Sequence, residues 1–425
     1  MKNKFLLLFF FVVIGQQAFA QKEEKPQILV FGSGIIGYSA AVQGALSNVP
    51  TLWVVEGSDL IPEFTRSARG MENLLNVDGG IWMKLLMRMG AVKDASDSLA
   101  RHIKREINPR LFENALEKII SEQANLKIVF ANDIIAIDKK RKHWSITLED
   151  GHKYTVDCVI DASVNQKLGR FSAADTQANR GPSMLKLDEM SSAEIRTLLV
   201  TGEIDRKLFG VQFSNLIRGE NDGFFKLSAF VKGLDTSAGT APFRSAFGQA
   251  LGATAAYLSY FATASAAIDV RKLQTELMSD GARILPFSDL AIDDPNFDAI
   301  QRVGLAAIFN FKSPRAGFIL DKDRYISYAE LEPVFNRLYS RSQLWPVEDK
   351  TRDLTLSTAL SLIKFVALRG DEIEKEVKRD WSTLLHFAGS YQEDKPIGRY
   401  EFMVLLDRYA SPFSKKVDRQ GYFIF

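Results

Sequence analysis

The feature that most constrains the fold is a strand, a glycine-rich turn and a helix that follow one another near the start of the chain. Residues 27–31 read QILVF, a run typical of a strand buried on both faces of a parallel sheet. A G-x-G-x-x-G pattern follows, in which the glycines permit a tight turn, close approach of a pyrophosphate and close packing of the helix on the strand. We therefore predict a Rossmann-type unit in which the amides at the helix N-terminus face phosphates. The candidate phosphate-binding residues are Gly32, Ser33, Gly34, Ile35, Ile36 and Gly37.

A second apolar run, TLWVVE at residues 51–56, predicts the neighbouring strand and ends in Glu56. Asn48, just before it, is suited to the left-handed conformation at the end of the helix. A carboxylate 19 residues past Gly37 can accept hydrogen bonds from both ribose hydroxyls of an adenosine and would repel a 2′-phosphate. Glu56, with Gly57 beside it, is therefore a candidate adenosine-binding residue.

The first twenty residues have the three-part plan of a secretory signal peptide. Lys2 and Lys4 precede an apolar run at residues 5–14, and Ala18 and Ala20 form an Ala-x-Ala cleavage site. The run is shorter than the roughly 20 residues that span a bilayer, which favours cleavage over an uncleaved anchor. We expect the mature protein to be exported to the periplasm or the extracellular space, without a stable membrane span.

The amino-acid composition bears on the class of protein and on the kinds of partner to expect. The 425 residues are 46% apolar and 25% charged, which suits a globular protein of two domains. The 54 basic and 52 acidic side chains form no long block of one sign, so a nucleic-acid partner is not expected. The single cysteine, Cys158, is expected to be a buried inert thiol. The spacing of the four histidines is not that of metal ligands, so no metal site is predicted. No catalytic residue is identified. The four histidines are His102, His143, His152 and His386.

The segments after residue 106 extend the sheet. Asn108 and Pro109 begin a helix whose buried face is predicted to carry Leu111, Ala115, Leu116, Ile119 and Ile120. Three strand-like runs follow at residues 126–138, 143–149 and 154–163, with an Asp150-Gly151 hairpin turn between the last two. A strand ending in Asp161 is expected to return beside the first strand. An antiparallel meander inserted before a returning strand resembles the dinucleotide domain of flavoproteins.

Residues 242–290 carry a more specific resemblance. This stretch contains an arginine, then a GQALGATAA helix, then an LQTELMSDGA tail. The combination resembles the closing segment of the xanthan lyase-like group of FAD-dependent oxidoreductases. The resemblance implies FAD as cofactor, an approach of the helix N-terminus to the flavin ring, and a small polar or carbohydrate-related substrate. The flavin-proximal candidates that it implies are Arg244, Gly248, Gln249 and Gly252. The other matching positions are Ala253, Ala255, Ala256, Leu273, Gln274, Leu277, Gly281 and Ala282.

Two stretches depart from that family. The returning strand ends Asp161-Ala162-Ser163-Val164 where the family has Asp-Ala-Thr-Gly, and residues 57–80 keep only scattered glycines of the flavin-proximal loop. A cofactor-free Rossmann-fold scaffold is therefore the main alternative to an oxidoreductase. An NAD-dependent enzyme is a further alternative, which the closing helix and the signal peptide disfavour. The loop candidates are Gly57, Arg69, Gly70, Gly79 and Gly80.

The sequence from residue 291 onwards is predominantly helical in pattern. Similar helix starts recur at Ile326, Leu354 and Ile397, which indicates degenerate repeats. They resemble S-layer homology modules, with Arg399 and Glu401 in the matching positions, and this implies a cell-envelope glycan as partner. A helical packing or dimerisation domain without a ligand is the alternative. We predict a signal peptide at 1–20, an FAD/NAD(P)-binding-type domain at 21–290 and a helical domain at 291–425.

Overall fold

The computed structural model describes residues 25–66, 70–71, 75–164, 166–171, 183–218, 220–227, 234, 237–313 and 317–425. Its helices are α1 Ile35–Leu46, α2 Pro62–Thr65, α3 Gly80–Met89, α4 Asp97–Lys104, α5 Pro109–Ser121, α6 Ser192–Arg196, α7 Phe213–Leu216, α8 Ala241–Phe261, α9 Val270–Ser279, α10 Phe297–Leu305, α11 Tyr328–Leu338, α12 Leu356–Ala367, α13 Glu372–Asp380 and α14 Arg399–Ala410. Its strands are β1 Ile28–Phe31, β2 Thr51–Val55, β3 Leu126–Phe130, β4 Ile134–Lys140, β5 His143–Leu148, β6 Lys153–Val156, β7 Cys158–Asp161, β8 Leu185–Lys186, β9 Leu198–Ile204, β10 Lys207–Gln212, β11 Phe224–Lys226, β12 Lys312–Ser313 and β13 Gly317–Phe318.

The central sheet is parallel and has the order β11-β7-β1-β2-β3. All four residues of β1 and all five of β2 are buried, because helices or the meander cover both faces of the sheet. The returning strand pairs with β1 as predicted, with Asp161 opposite Phe31. Asn48 has φ 58° at the end of α1, which confirms its predicted left-handed conformation.

The meander forms its own antiparallel sheet, in the order β4-β5-β6. Gly151 has φ 85° in the turn between β5 and β6, a conformation that glycine adopts without steric cost. The predicted hairpin at this position is therefore confirmed. Apolar residues of β4, β5 and β6 pack against one face of the central sheet, in a core cluster that includes Leu29 and Phe31.

Helix α8 packs directly on α1 through small residues. A Cβ on Gly248 would lie 2.3 Å from the Ile36 carbonyl oxygen, and one on Gly252 would lie 2.3 Å from the Ala40 carbonyl oxygen. Only hydrogen fits at either position, so the two helix backbones are in contact. This seam joins the closing segment to the first helix of the sheet.

A second antiparallel sheet, β8-β10-β9, lies beyond α8. After residue 290 the described elements are helices, apart from the two-residue strands β12 and β13. The chain thus has the predicted α/β class: a Rossmann-type sheet, an inserted meander and a helical C-terminal region. The domain boundary at 290/291 stays a prediction, because buried contacts cross it, including the bond from Arg196 Nε to the Ala306 carbonyl at 3.1 Å.

The three predicted repeat starts meet at one place in the C-terminal region. The Leu354 N–H donates to the Ile326 carbonyl at 2.8 Å, and the Ile397 N–H donates to the Leu354 carbonyl at 2.9 Å. All three side chains are buried. Isolated bridges join Tyr325 to Gly398 and Thr355 to Pro396, so the segments that precede helices α11, α12 and α14 lie side by side. We refer to these paired segments as the hub.

The first turn of α5 differs from its prediction. Leu111 was predicted to lie on the buried face of α5, but it is 49% exposed. Its side chain lines a cleft and not the core.

Across the described helices, no stretch has the length and apolar character that a bilayer span requires.

Candidate functional site

The turn between β1 and α1 has the backbone conformation that its glycines permit. Gly32 and Gly34 have φ 120° and 98°, which L side chains rarely adopt. A Cβ on Gly32 would lie 2.6 Å from the Ser163 amide nitrogen, and one on Gly37 would lie 2.7 Å from the Gly32 carbonyl oxygen. The glycine pattern therefore lets the turn pack against the backbone after the returning strand and lets α1 pack against the turn, whether or not a nucleotide binds there.

The first amides of α1 already have partners within the chain. The Gly34 N–H donates to the Leu60 carbonyl oxygen at 2.7 Å. The Ile35 N–H makes a long hydrogen bond of 3.4 Å to Glu63 Oε1. A carboxylate thus stands at the helix N-terminus, the position where the partial positive charge of a helix favours an anion.

The Glu63 carboxylate is also held by Arg244, which begins the closing helix motif. Arg244 Nη1 lies 2.9 Å from Glu63 Oε1, and both side chains are largely shielded from solvent. The remaining guanidinium donors reach Thr240 Oγ1 at 3.2 Å and the Ser237 carbonyl oxygen at 3.0 Å. Arg244 is therefore positioned by α8 to fix an anion at the turn, and the anion it fixes here is a side chain of the same protein.

Glu56 lies one residue past the end of β2, as predicted, and its side chain is 27% exposed. Its Oε1 atom pairs with Lys167 Nζ at 2.6 Å. Gly57 follows with φ 84° and open space around it. The carboxylate is thus accessible at the edge of the sheet, but a ribose would have to share it with a lysine.

Asp161 ends the returning strand, on the other side of β1 from Glu56. It accepts hydrogen bonds from the Ser163 N–H at 3.1 Å, the Ser163 hydroxyl at 2.6 Å and the Leu168 N–H at 3.1 Å. Burial raises the pKa of Asp161 to about 6, although these three donors oppose the rise, and the negative charge of Glu56 adds to it. Val164, at the position of the family's glycine, is 57% exposed.

The other residues implied by the resemblance lie inside the helix layer. Gln249 Nε2 donates to Gln43 Oε1 at 2.9 Å, and Gln249 Oε1 accepts from the Ile81 N–H at 3.3 Å. Gly248 and Gly252 contact α1 as described above. These three residues thus bind α8 to α1 and α3.

The glycines of the loop after Glu56 are mostly enclosed by protein. A Cβ on Gly70 would lie 2.6 Å from the Arg105 carbonyl oxygen, and one on Gly79 would lie 2.6 Å from the Arg283 amide nitrogen. A Cβ on Gly80 would overlap the Gln249 amide. Arg69 falls outside the described residues. Sequence reasoning did not single out Glu63, although the IPEF sequence, with Pro62 at the first helical position, marks a helix start.

These contacts test whether FAD fits. The glycine turn and Glu56 suit the adenosine half of a dinucleotide. The pyrophosphate does not fit this arrangement, because the Gly34 and Ile35 amides are engaged and the Glu63 carboxylate would repel phosphate oxygens. None of five cavities mapped over the described residues is lined by the glycine turn or Glu56. The same residues also contain no group of three or more His, Cys, Asp or Glu side chains that could hold a metal ion.

No protein-family model and no curated protein matches the chain. Solved structures match over part of it. The chain is similar to tetracycline destructase Tet(51), with 16% identity over 39% of this chain and 44% of that one, at a TM-score of 0.26. It is also similar to thioredoxin reductase from Streptococcus pyogenes MGAS5005, with 18% identity over 33% and 36% of the two chains, at a TM-score of 0.21. An oxidoreductase from Agrobacterium tumefaciens matches with 14% identity over 33% and 37%, at a TM-score of 0.22. The matched part spans less than half of each of these structures, and likenesses of this size carry no argument about activity.

Proposed function

We propose that this chain is an exported FAD-dependent oxidoreductase that acts on a small polar or carbohydrate-related substrate. The observation that carries the proposal is the glycine turn at the end of β1, with Glu56 at the end of the adjacent strand. A tight turn and a neighbouring carboxylate are what an adenosine diphosphate moiety requires. The inserted meander supports a flavoprotein type of sheet over an NAD-dehydrogenase type.

The proposal requires that Glu63 leave the helix N-terminus before the dinucleotide enters. Arg244 would then be available to the incoming phosphates, since it is held by α8 independently of Glu63 through Thr240 and Ser237. We assign no side chain as the acid or base of a reaction. The role that we propose for Glu56, Gly32 and Gly34 is to bind and orient the dinucleotide.

The test is an absorption spectrum of protein purified from its native compartment. Bound flavin gives bands near roughly 370 and 450 nm. We expect these bands in the purified protein or after addition of FAD, and we expect Glu56→Arg to weaken FAD binding through loss of the ribose acceptor. Colourless protein that also refuses added FAD contradicts the proposal. N-terminal sequencing that starts at Gln21 would support export through the leader.

A second candidate function is a cofactor-free scaffold. The Glu63–Arg244 ion pair specifically favours it, because an internal carboxylate already satisfies the amide that a phosphate would take. The two functions are separated by Glu63→Gln. A scaffold refuses FAD with and without this substitution, whereas an oxidoreductase with a removable carboxylate binds FAD better once it is made.

The C-terminal region adds a proposed partner, a cell-envelope glycan. A pocket of about 110 Å³ beside the hub is lined by Tyr325, Trp381, Gln392 and Glu401, a combination of aromatic and hydrogen-bonding groups that suits a sugar. Tyr325 is 47% exposed. We expect the full chain to be retained on peptidoglycan or capsular glycan and Tyr325→Ala to reduce retention. Equal retention of both forms would contradict this assignment of the pocket.

A further inference from the structure

A cavity of about 710 Å³ lies between helices α1, α3 and α5, away from the glycine turn. We refer to it as the α1/α3/α5 cavity. Its volume is within the range of small-molecule sites, roughly 300 to 1,000 Å³. The apolar side chains that line it include Val42, Leu46, Ile81, Met87 and Ile119.

Apolar groups at its edge are more exposed than is usual for side chains of their size. Leu111 is 49% exposed and Val92 is 42% exposed, and both line the cavity. Leu111 lies in the first turn of α5, where the sequence pattern predicted a core contact. The two side chains therefore extend the apolar lining outward, so that a bound chain of methylene groups could contact apolar surface from floor to rim.

The charged groups at the rim are predominantly basic. Four basic side chains line the cavity, Lys84, Arg88, Lys93 and Lys118, against one acidic side chain, Glu122. Two of the four are neutralised, because Arg88 pairs with Glu122 at 2.8 Å and Lys84 pairs with Asp280 at 3.2 Å.

The other two have no such neutralisation. Among the described residues, no carboxylate oxygen lies within 4 Å of the ammonium nitrogen of Lys93 or of Lys118, and both side chains are exposed. Two ammonium groups beside an apolar cleft favour a ligand that carries a negative charge at one end only.

A buried polar group behind the cavity lining also lacks a partner, although it does not itself line the cavity. Tyr38 precedes Val42 by one helical turn on the same face of α1, and its buried hydroxyl makes no hydrogen bond within the described structure. Burial raises the pKa of this hydroxyl well above its ordinary value, with opposing influences from Arg88 and Glu122 at the rim. A buried hydroxyl without a partner is unfavourable, but Tyr38 does not line the cavity, so no ligand contact is assigned to it.

We infer that the α1/α3/α5 cavity binds a single-chain amphiphile with an anionic head, such as an alkyl carboxylate, whose head lies between Lys93 and Lys118. Its chain contacts Leu111, Val92 and the apolar floor. Burial of the methylene groups supplies affinity, while the two lysines select the sign of the charge. This site does not depend on whether FAD binds, because it shares no residue with the glycine turn or with Glu56.

The test is a calorimetric titration of the full chain with dodecanoate, kept below its micelle concentration. We expect saturable binding of one dodecanoate per chain and no detectable binding of acetate, which lacks the alkyl chain. Dodecyltrimethylammonium, with the same chain and the opposite charge, should bind at least about tenfold more weakly. Equal binding of the two amphiphiles, or no saturable binding of dodecanoate, overturns the inference.

Matched variants locate the site. Lys118→Glu reverses a charge at the rim, and we expect it to weaken dodecanoate binding at least about tenfold. Lys153→Glu makes the same change at an exposed position of β6 that does not line the cavity, and it should leave binding unchanged. Equal weakening by both variants overturns the assignment. Flotation with anionic phospholipid vesicles provides a last comparison, because vesicle binding without dodecanoate binding would indicate a membrane surface and contradict a cavity ligand.

Discussion

Arg244 and Glu63 are 181 residues apart in the sequence, yet their side chains meet at 2.9 Å beside the first turn of α1. Arg244 comes from the helix that closes the sheet, and Glu63 from the short helix α2 that follows β2. Their ion pair places a negative charge where a Rossmann-type turn would otherwise present free amides. A carboxylate of the protein itself therefore occupies the N-terminus of α1.

This arrangement predicts a gain of function from a conservative substitution. Glu63→Gln removes the charge but keeps the size of the side chain, so phosphate oxygens would no longer meet a carboxylate at the Ile35 amide. We expect the affinity for FAD to rise about tenfold or more, equivalent to about 1.4 kcal/mol, in a titration monitored by flavin fluorescence.

Glu117→Gln, on the exposed face of α5, is the matched control and should leave affinity unchanged. An unchanged or lower affinity in Glu63→Gln would show that the carboxylate does not compete with the nucleotide.

The seam between α1 and α8 predicts a large effect of one methyl group. The Cβ of alanine at position 248 would lie 2.3 Å from a backbone oxygen of α1, so the helices must separate. Overpacking of this kind costs about 1 to 3 kcal/mol, even though alanine favours a helix more than glycine does. We expect Gly248→Ala to lower the urea midpoint of unfolding.

Gly169 is a suitable comparison for that experiment. No heavy atom lies within 4 Å of the position of its Cβ, and its φ is not positive. Gly169→Ala should therefore change the free energy of unfolding by no more than about 0.5 kcal/mol. A similar small effect at both positions would mean that α1 and α8 can separate without cost.

The buried Asp161 carboxyl predicts a pH dependence of stability. Its pKa is raised from 3.8 to about 6, so between these pH values the folded protein binds more protons than the unfolded chain. Stability contributed by this group is therefore fully present below pH 3.8 and is lost as the pH rises through 6, by about 3 kcal/mol in total.

Asp161→Asn removes this titration. We expect the difference in unfolding free energy between the original protein and the variant to change by about 2 kcal/mol between pH 4 and pH 7, as measured by urea denaturation. Parallel pH profiles for the two proteins would contradict the assignment to Asp161.

The single thiol reports on global unfolding. Burial raises the pKa of Cys158 to about 12, and its Sγ atom lies 3.6 Å from the Ala255 carbonyl oxygen. The reactive thiolate is therefore scarce at pH 8 as well as inaccessible. We expect no labelling by a thiol reagent in the native protein and one thiol per chain in denaturant, with Cys158→Ser as the blank. Rapid labelling under native conditions would show that β7 opens locally.

Local patterns in the sequence were sufficient for β1, β2, β7 and the hairpin between β5 and β6, but β11 and the β8-β10-β9 sheet were not predicted. The β1 run, the three glycines and the Asp150-Gly151 turn each have a short-range cause, and the structure has the corresponding strand, turn and hairpin. The returning strand could be predicted because its short apolar run before Asp161 is typical of a strand buried on both faces. Adjacent residues carry these signals, so one sequence is enough to read them.

The ion pair at the turn could not be predicted in the same way. Glu63 is one acid in a single-turn helix, and its role appears only when α8 brings Arg244 alongside it. Gln249 likewise matches a flavin-family motif, yet in this fold its amide bonds to Gln43 and Ile81. Pairings between distant residues depend on how helices pack, which the periodicity of a sequence does not encode.

The glycine contacts between α1 and α8 also bear on how the chain is made. During synthesis, α1 and the first strands emerge about two hundred residues before the helix that covers them. Until residue 261 is available, a strip of bare backbone and small side chains stays open to other chains. Completion of the sheet layer therefore depends on a contact distant in sequence, and distant contacts of this kind slow folding.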